Sequence, residues 1–297
     1  MNRKFLKRIL WQINRSPLRF SIKWLLRLFC IDEIKHRKEL AKKTHQNATS
    51  LRYASQLASD GYAVITDLVD TKLLAEVNDS AQKKVEVAER ASGNQALRHK
   101  AFWIRLLDED MQDGKLPISS PYVQFATQPA IIQILAKAFG EIPRLDYVLL
   151  TLSHHSEKEL SYSQLWHKDH DDVRVIKLFV YLSDVKNDSD GPFTFIPAQI
   201  SDKYGYSLKS HRPDDKIFDC GIANPDAAKK VIAPALSVFM VETSRCLHMG
   251  SRLAPSHTRL LYTATYTTIP CMFPNRKNNF IKDIELKDSA ERMLLDL

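Results

Sequence analysis

The chain has 297 residues, 44% hydrophobic and 26% charged, an ordinary globular composition with room for one large domain or one domain plus an extension. Its net charge of +8 is unevenly placed: residues 1–43 hold thirteen Lys or Arg against Asp32, Glu33 and Glu39, so the remainder is slightly acidic. Four scattered cysteines (Cys30, Cys220, Cys246, Cys271) without a Cys-x-x-Cys pair favour free thiols over a disulfide framework. Neither a Gly-x-x-x-x-Gly-Lys nor a Gly-x-Gly-x-x-Gly fingerprint is present, which removes the common phosphate-loop and dinucleotide classes.

The N-terminal stretch is helical by pattern. Phe5, Leu6, Ile9, Leu10 and Ile13 recur at helical spacing, Pro17 interrupts, and Leu18, Ile22, Leu25, Leu26 and Phe29 then line one face. Arg19, Lys23 and Arg27 stack four apart on another face. Charges this frequent break both the ~20-residue apolar run of a membrane span and the ~7–15-residue core of a signal peptide. Two readings stand level: a basic amphipathic helix on an anionic membrane surface, and a helix packed on the body with its basic edge solvated. An organelle presequence ranks below both. The expectation is a cytoplasmic protein whose peripheral membrane contact, if made, runs through residues 1–30. Nucleic acid would use the same charges, but no module for reading it accompanies them.

Residues 32–49 read as a charged helix and linker, dividing a 1–45 extension from a 46–297 domain. A strand follows at 62–66, then a helix at 72–90. Residues 91–120 are mixed and polar around Phe102 and Trp103, a loop-and-helix region suited to bordering a pocket. The periodicity of Ile131, Ile132, Ile134, Leu135 and Ala138 predicts a helix over 129–139, stopped by Gly140. Strand-like runs then gather at 145–153, 174–182, 193–196, 231–233, 236–241 and 259–268. Helices first and strands later predict a mainly β fold with supporting helices (α+β). The irregular stretch 199–228 is long enough to cover a substrate. The turn Asn187-Asp188-Ser189-Asp190-Gly191 lacks the Glu that a calcium loop needs.

The most informative segment is Trp166-His167-Lys168-Asp169. In an extended chain His167 and Asp169 share one face while Lys168 turns away. A second histidine arriving from elsewhere would complete a facial 2-His-1-carboxylate site, which suits ferrous iron because half its coordination positions stay open. His248 follows the apolar run at 236–241, and Arg259, eleven residues on, offers a fork for a carboxylate.

The order Trp166-His167-x-Asp169, then Lys177-Leu178-Phe179-Val180-Tyr181-Leu182, then Gly191-Pro192-Phe193-Thr194-Phe195-Ile196-Pro197, resembles the phytanoyl-CoA dioxygenase (PhyH-like) family. The opening stretch Leu57–Ile65 is similar to that family's first strand, and the resemblance spans roughly residues 50–270. It implies a double-stranded β-helix (jelly-roll, cupin-like) core and an Fe(II)- and 2-oxoglutarate-dependent oxygenase that consumes O2. It makes His167, Asp169 and His248 the metal ligands and Arg259 the anchor for the distal 2-oxoglutarate carboxylate. Halogenating relatives lack the carboxylate, so Asp169 implies hydroxylation of a small-molecule or acyl substrate, with release of succinate and CO2. Two departures stand out: Ala198-Gln199-Ile200 where the family often has Gly-Ser-His, and Gly250, with Ser251 one position late, where some members carry a hydroxyl.

The same residues admit rival readings. His170-x-Asp172 is a second His-x-Asp, disfavoured because the family's tryptophan precedes His167. Neighbours His154 and His155 face opposite ways in a strand; His45, His211 and His257 carry no spacing signal. Zinc also accepts two histidines and a carboxylate, but no separate general base is marked. Lys177, Arg174 and Arg252 are candidate substrate contacts, more simply read as surface or strand-edge charges. The alternative class is a non-catalytic jelly-roll binding or regulatory protein at a membrane surface.

Overall fold

Three long strands, largely buried on both faces, dictate the architecture. The computed structural model describes residues 12–45, 47–90, 98–100, 102–204, 211–219, 221, 224–273, 279–286 and 288–297. Its main sheet has seven strands in the order β1-β9-β6-β11-β5-β3-β2. These are β1 (Tyr62–Val64), β2 (Arg98–Lys100), β3 (Trp103–Arg105), β5 (Arg144–His154), β6 (Val175–Tyr181), β9 (Val238–Val241) and β11 (Thr258–Thr267). A second sheet, ordered β10-β7-β8, is built from β7 (Phe193–Ile196), β8 (Lys229–Val231) and β10 (Leu247–Met249). A short parallel pair joins β4 (Leu116–Pro117) to β12 (Phe280–Ile281).

Because side chains alternate, each central strand serves two cores. Leu178 and Val180 of β6, Val238 and Met240 of β9, and Tyr262, Ala264 and Tyr266 of β11 point to the outer face and bury against helices. Those helices are α2 (Ile31–Lys43), α3 (Ala48–Asp60), α4 (Thr71–Arg90), α5 (Pro121–Thr127), α6 (Pro129–Phe139) and α7 (Ser289–Leu294); α1 (Leu18–Leu28), which precedes them, adds no residue to this core. Tyr262 and Tyr266 donate their hydroxyls to Tyr122 O (2.6 Å) and Ala126 O (2.8 Å), so two buried polar groups fasten β11 to α5. The opposite set, Phe179, Tyr181, Phe239, Val241 and Leu261, meets Phe193 and Phe195 of the smaller sheet. The space between the two sheets is therefore aromatic at its floor.

Local signals fix the helix ends. Asp70 Oδ1 accepts from Lys72 N (2.8 Å) and Leu73 N (3.1 Å) at the start of α4. Pro129 opens α6 and Gly140, at φ 71°, closes it, matching the expected bounds. Elsewhere the bounds shift: the strand expected at 231–233 lies at Lys229–Val231, and that at 62–66 ends at Val64. The region 91–120, expected as loop and helix, contributes β3, which pairs with β5 through Trp103↔Ser153 and Arg105↔Thr151.

The described part of the N-terminal extension differs from a helix with a solvated basic edge. Arg19 and Lys23 of α1 and Arg37 of α2 are buried. Lys23 Nζ lies 2.7 Å from Asp172 Oδ1, Arg27 pairs with Glu141, and Arg37 pairs with Asp296 while donating to Ile142 O and Pro143 O. The apolar residues of α1 face outward instead.

Candidate metal centre

The turn Tyr162–Gln164, closed by a Ser161/Gln164 capping box, delivers the chain in extended form to Leu165. His167 and His248 then face each other across a two-way backbone bridge: each amide donates to the other's carbonyl at 2.9 Å. A directly opposed antiparallel pair puts both side chains on one side of the sheet, and the ring centroids stand 4.2 Å apart. Two residues on, Asp169 shares the face of His167, while Lys168 turns away and donates to Ser201 O (2.8 Å). His167, Asp169 and His248 each present one ligand atom, all within 4.8 Å of one another.

The protonation states suit a cation. His167 Nδ1 lies 2.9 Å from Leu165 O, and His248 Nδ1 2.9 Å from Cys246 O. A carbonyl only accepts, so both Nδ1 atoms carry the hydrogen and both Nε2 lone pairs stay bare. Each Nε2 is 3.9 Å from one oxygen of Asp169. Burial lowers the imidazoles to about 3 (His167) and about 4 (His248), so both are neutral in ordinary buffers. Burial pushes Asp169 upward, but Lys177 and the two imidazoles pull it well below the usual carboxylate range. Lys177 Nζ sits 2.7 Å from Asp169 Oδ2, and although burial opposes its charge, Asp169 holds its pKa above the ordinary lysine value. Two neutral imidazoles and a fixed carboxylate make a donor set for a divalent ion, with imidazole and oxygen ligands that iron accepts.

Arg259 lies on the same inner face of β11, opposite Ser153 of β5. It is buried, and among the described residues no carboxylate lies within ion-pair range of it. Its nitrogens bond Gly191 O and Ser251 Oγ (2.7 Å), its guanidinium carbon lies 6.0 Å from the centre of the Tyr181 ring, and burial lowers its pKa. Gly250 separates it from His248: a Cβ at Gly250 would stand 3.7 Å from Arg259 Nη1. A buried cation without counter-charge, packed against the glycine two residues beyond a candidate ligand, is a seat for an anion.

The rival residues have other partners. His170 Nδ1 lies 2.8 Å from Arg19 Nη1, and Asp172 takes Lys23 and Thr268, so this second His-x-Asp fastens α1 to the body. Asp190 Oδ2 accepts from Lys186 N and Asn187 N, and its Oδ1 meets His257 Nδ1 at 2.8 Å, which spends the acid turn on its own backbone. Arg174 pairs with Glu242 (2.9 Å) and Arg252 with Asp214 (2.8 Å), whereas Lys177 is no surface charge and faces the candidate centre.

Spacing missed one neighbour. The His211 ring stacks on His167 with centroids 4.9 Å apart. It belongs to the 199–228 stretch, whose described part is latched to the site by the Trp166↔Arg212 bridge and by Trp166 Nε1 donating to Asp214 (2.7 Å). On the other side Phe193 stacks on His248 at 5.4 Å.

No family model and no curated protein matches the sequence. Solved structures do resemble it. The epimerase SnoN in complex with Fe3+, alpha ketoglutarate and nogalamycin RO superposes with a TM-score of 0.52 at 18% identity, over 82% of this chain and 97% of that one. EctD from S. alaskensis with 2-oxoglutarate and 5-hydroxyectoine gives 0.53 at 15% identity, over 76% and 80%. The non-heme monooxygenase ThoJ in its apo form gives 0.50 at 14%, over 82% and 92%. At these identities the likeness is one of fold, and the fold is the helix-supported double-stranded β-helix of such oxygenases.

Proposed function

We propose that this chain is an Fe(II)- and 2-oxoglutarate-dependent dioxygenase that hydroxylates a small-molecule or acyl substrate, releasing succinate and CO2. One observation carries the reading. Two bare imidazole nitrogens and an ionised carboxylate converge within 4.8 Å beside β10 of the small sheet, while β11 of the main sheet carries a buried guanidinium without counter-charge. Neighbours of the same fold hold Fe3+ with alpha ketoglutarate, or 2-oxoglutarate with 5-hydroxyectoine, which supports the choice of cosubstrate.

In this reading His167, Asp169 and His248 hold the metal, and Leu165 O and Cys246 O lock the imidazoles in the required tautomer. Lys177 keeps Asp169 ionised and fixes its rotamer. Arg259 and the Ser251 hydroxyl, already bonded to each other, take the far carboxylate of 2-oxoglutarate. When bound, iron supplies the activation of O2 that couples oxidative decarboxylation of 2-oxoglutarate to oxidation of a substrate C–H bond. Phe179, Phe193 and Phe239 line the floor and exclude water from the reacting groups. His211, stacked on His167, is placed to meet substrate beneath the 199–228 stretch.

The test is iron-dependent succinate formation from 2-oxoglutarate by the purified protein without substrate, beside His167→Ala and Arg259→Ala. Slow uncoupled turnover lost in both variants is the expected result. Succinate formation that persists unchanged in His167→Ala would remove iron chemistry from this site.

A further inference from the structure

On α1 the burial is inverted. Arg19, Lys23 and Arg27, the only charged residues between Leu18 and Ile31, all turn to the body, toward His170, Asp172 and Glu141. Opposite them Leu18, Phe20, Trp24, Leu25, Leu28 and, at the C-cap, Phe29 are exposed, Trp24 at 62% and Phe29 at 88%. At 3.6 residues per turn these side chains cover roughly half the circumference. Two ion pairs and the Arg19–His170 contact thus hold the helix by its basic row and present an apolar arc, broken by Ser21, with two phenyl rings and an indole, to whatever lies outside. Single exposed apolar residues are ordinary; a contiguous arc of them marks an interaction surface.

We infer that this arc is a membrane-docking surface that lies in the interface of an anionic lipid bilayer. Two observations select lipid over protein. Trp and Phe beside Leu and Ile are the side chains that settle at the headgroup–acyl boundary. The eleven residues that precede the described chain carry Arg3, Lys4, Lys7 and Arg8 and no acid, so the sequence that leads into α1 is complementary to an anionic surface. Among the described residues no helix is long and apolar enough to cross a membrane, so the contact is one of lying on the surface. The inference stands on α1 and the sequence before it and does not depend on the reading of the metal centre.

The surface has a consequence for the fold around it. Asn14 donates to His170 O, Arg19 Nη1 meets His170 Nδ1 at 2.8 Å, and Lys23 holds Asp172, all within three residues of Asp169. The docking helix and the candidate metal centre therefore share one loop, which lies beneath α1 on the side away from the arc.

The experiment is flotation of the full chain with phosphatidylcholine vesicles and with vesicles of phosphatidylcholine and phosphatidylglycerol in equal parts. The doubly substituted Trp24→Ser/Phe29→Ser chain is run in parallel. Both side chains are exposed, so an unchanged Tm shows that the fold is kept. The expected result is binding to the mixed vesicles, weaker on phosphatidylcholine alone, and at least roughly tenfold weaker in the double variant. Added salt reduces binding without abolishing it. Absence of vesicle binding overturns the inference, as does binding that the two substitutions leave intact. A concentration-dependent dimer in sedimentation, dissolved by the same substitutions and indifferent to vesicles, assigns the arc to a second copy and also overturns it.

Discussion

Replacing Lys23 with Met removes an ammonium that stands 2.7 and 2.8 Å from the two oxygens of Asp172 and 2.6 Å from Pro270 O. The side chains are only 4% and 0% exposed, so no water replaces the lost partner. Asp172 keeps the Thr268 amide (3.0 Å) and hydroxyl, which satisfies hydrogen bonds but leaves the charge uncompensated. Breaking a buried pair in this way costs about 3–5 kcal/mol. At about 2 °C per kcal/mol for a domain this large, Tm falls by roughly 6–10 °C. The deficit has a pH signature. Burial already raises Asp172 above its usual value, and loss of Lys23 raises it further, so the folded variant takes up a proton more readily than the unfolded chain. The difference from wild type is therefore largest near neutrality and shrinks as pH falls toward the raised pKa. Urea unfolding of wild type, Lys23→Met, Asp172→Asn and the double variant at two pH values measures the coupling. A deficit under ~1 kcal/mol, or one that does not change with pH, would refute the view that this pair is a buried anchor.

Gly61 closes α3 at φ 75°, where a Cβ would lie 2.4 Å from Cys246 Sγ and 2.9 Å from Ala198 Cβ. Gly61→Ala is expected to cost about 2–4 kcal/mol, and Gly140→Ala, at φ 71° with nothing within 4 Å, about 1 kcal/mol; equal urea midpoints would contradict this. The metal-free protein should lose stability as pH falls from the ordinary histidine pKa near 6.5 toward the folded values of about 3 and 4 at His167 and His248, because only the unfolded chain takes up protons there. His167→Ala should flatten that slope between pH 6 and 4, which chemical unfolding across pH reads directly. Trp166→Phe deletes the bond to Asp214 and should expose the segment around His211 to faster amide exchange, with little change in global unfolding.

What could be read in the sequence followed from period. His167 and Asp169, two apart in extended chain, share a face whatever the fold, and the strand that carries Arg259 announced itself as an apolar run, whereas the three-residue β10 that carries His248 did not. The helix over 129–139 was bounded by its own proline and glycine. By contrast β3 is a strand because β5 offers it an edge, and three residues hold no periodicity. The inversion of α1 was hidden for a related reason: amphipathicity defines two faces, but which one is buried depends on acids such as Asp172 and Glu141, more than a hundred residues away. Lys177 did leave a trace. Alternation puts it on the face of Phe179 and Tyr181, and a lysine pointing into an aromatic interior needs a carboxylate. His211 left none, since a ring stacked from an irregular stretch depends on that stretch's path.

The central claim is tested most directly by anaerobic calorimetric titration of Fe(II), then 2-oxoglutarate, into the wild-type chain and into Asp169→Ala and Arg259→Ala. The account predicts one Fe(II) per chain and 2-oxoglutarate binding that requires the metal. Asp169→Ala should lose both, whereas Arg259→Ala should keep the metal and lose 2-oxoglutarate. Metal binding that survives Asp169→Ala undiminished, or 2-oxoglutarate binding indifferent to metal and to Arg259, would contradict it.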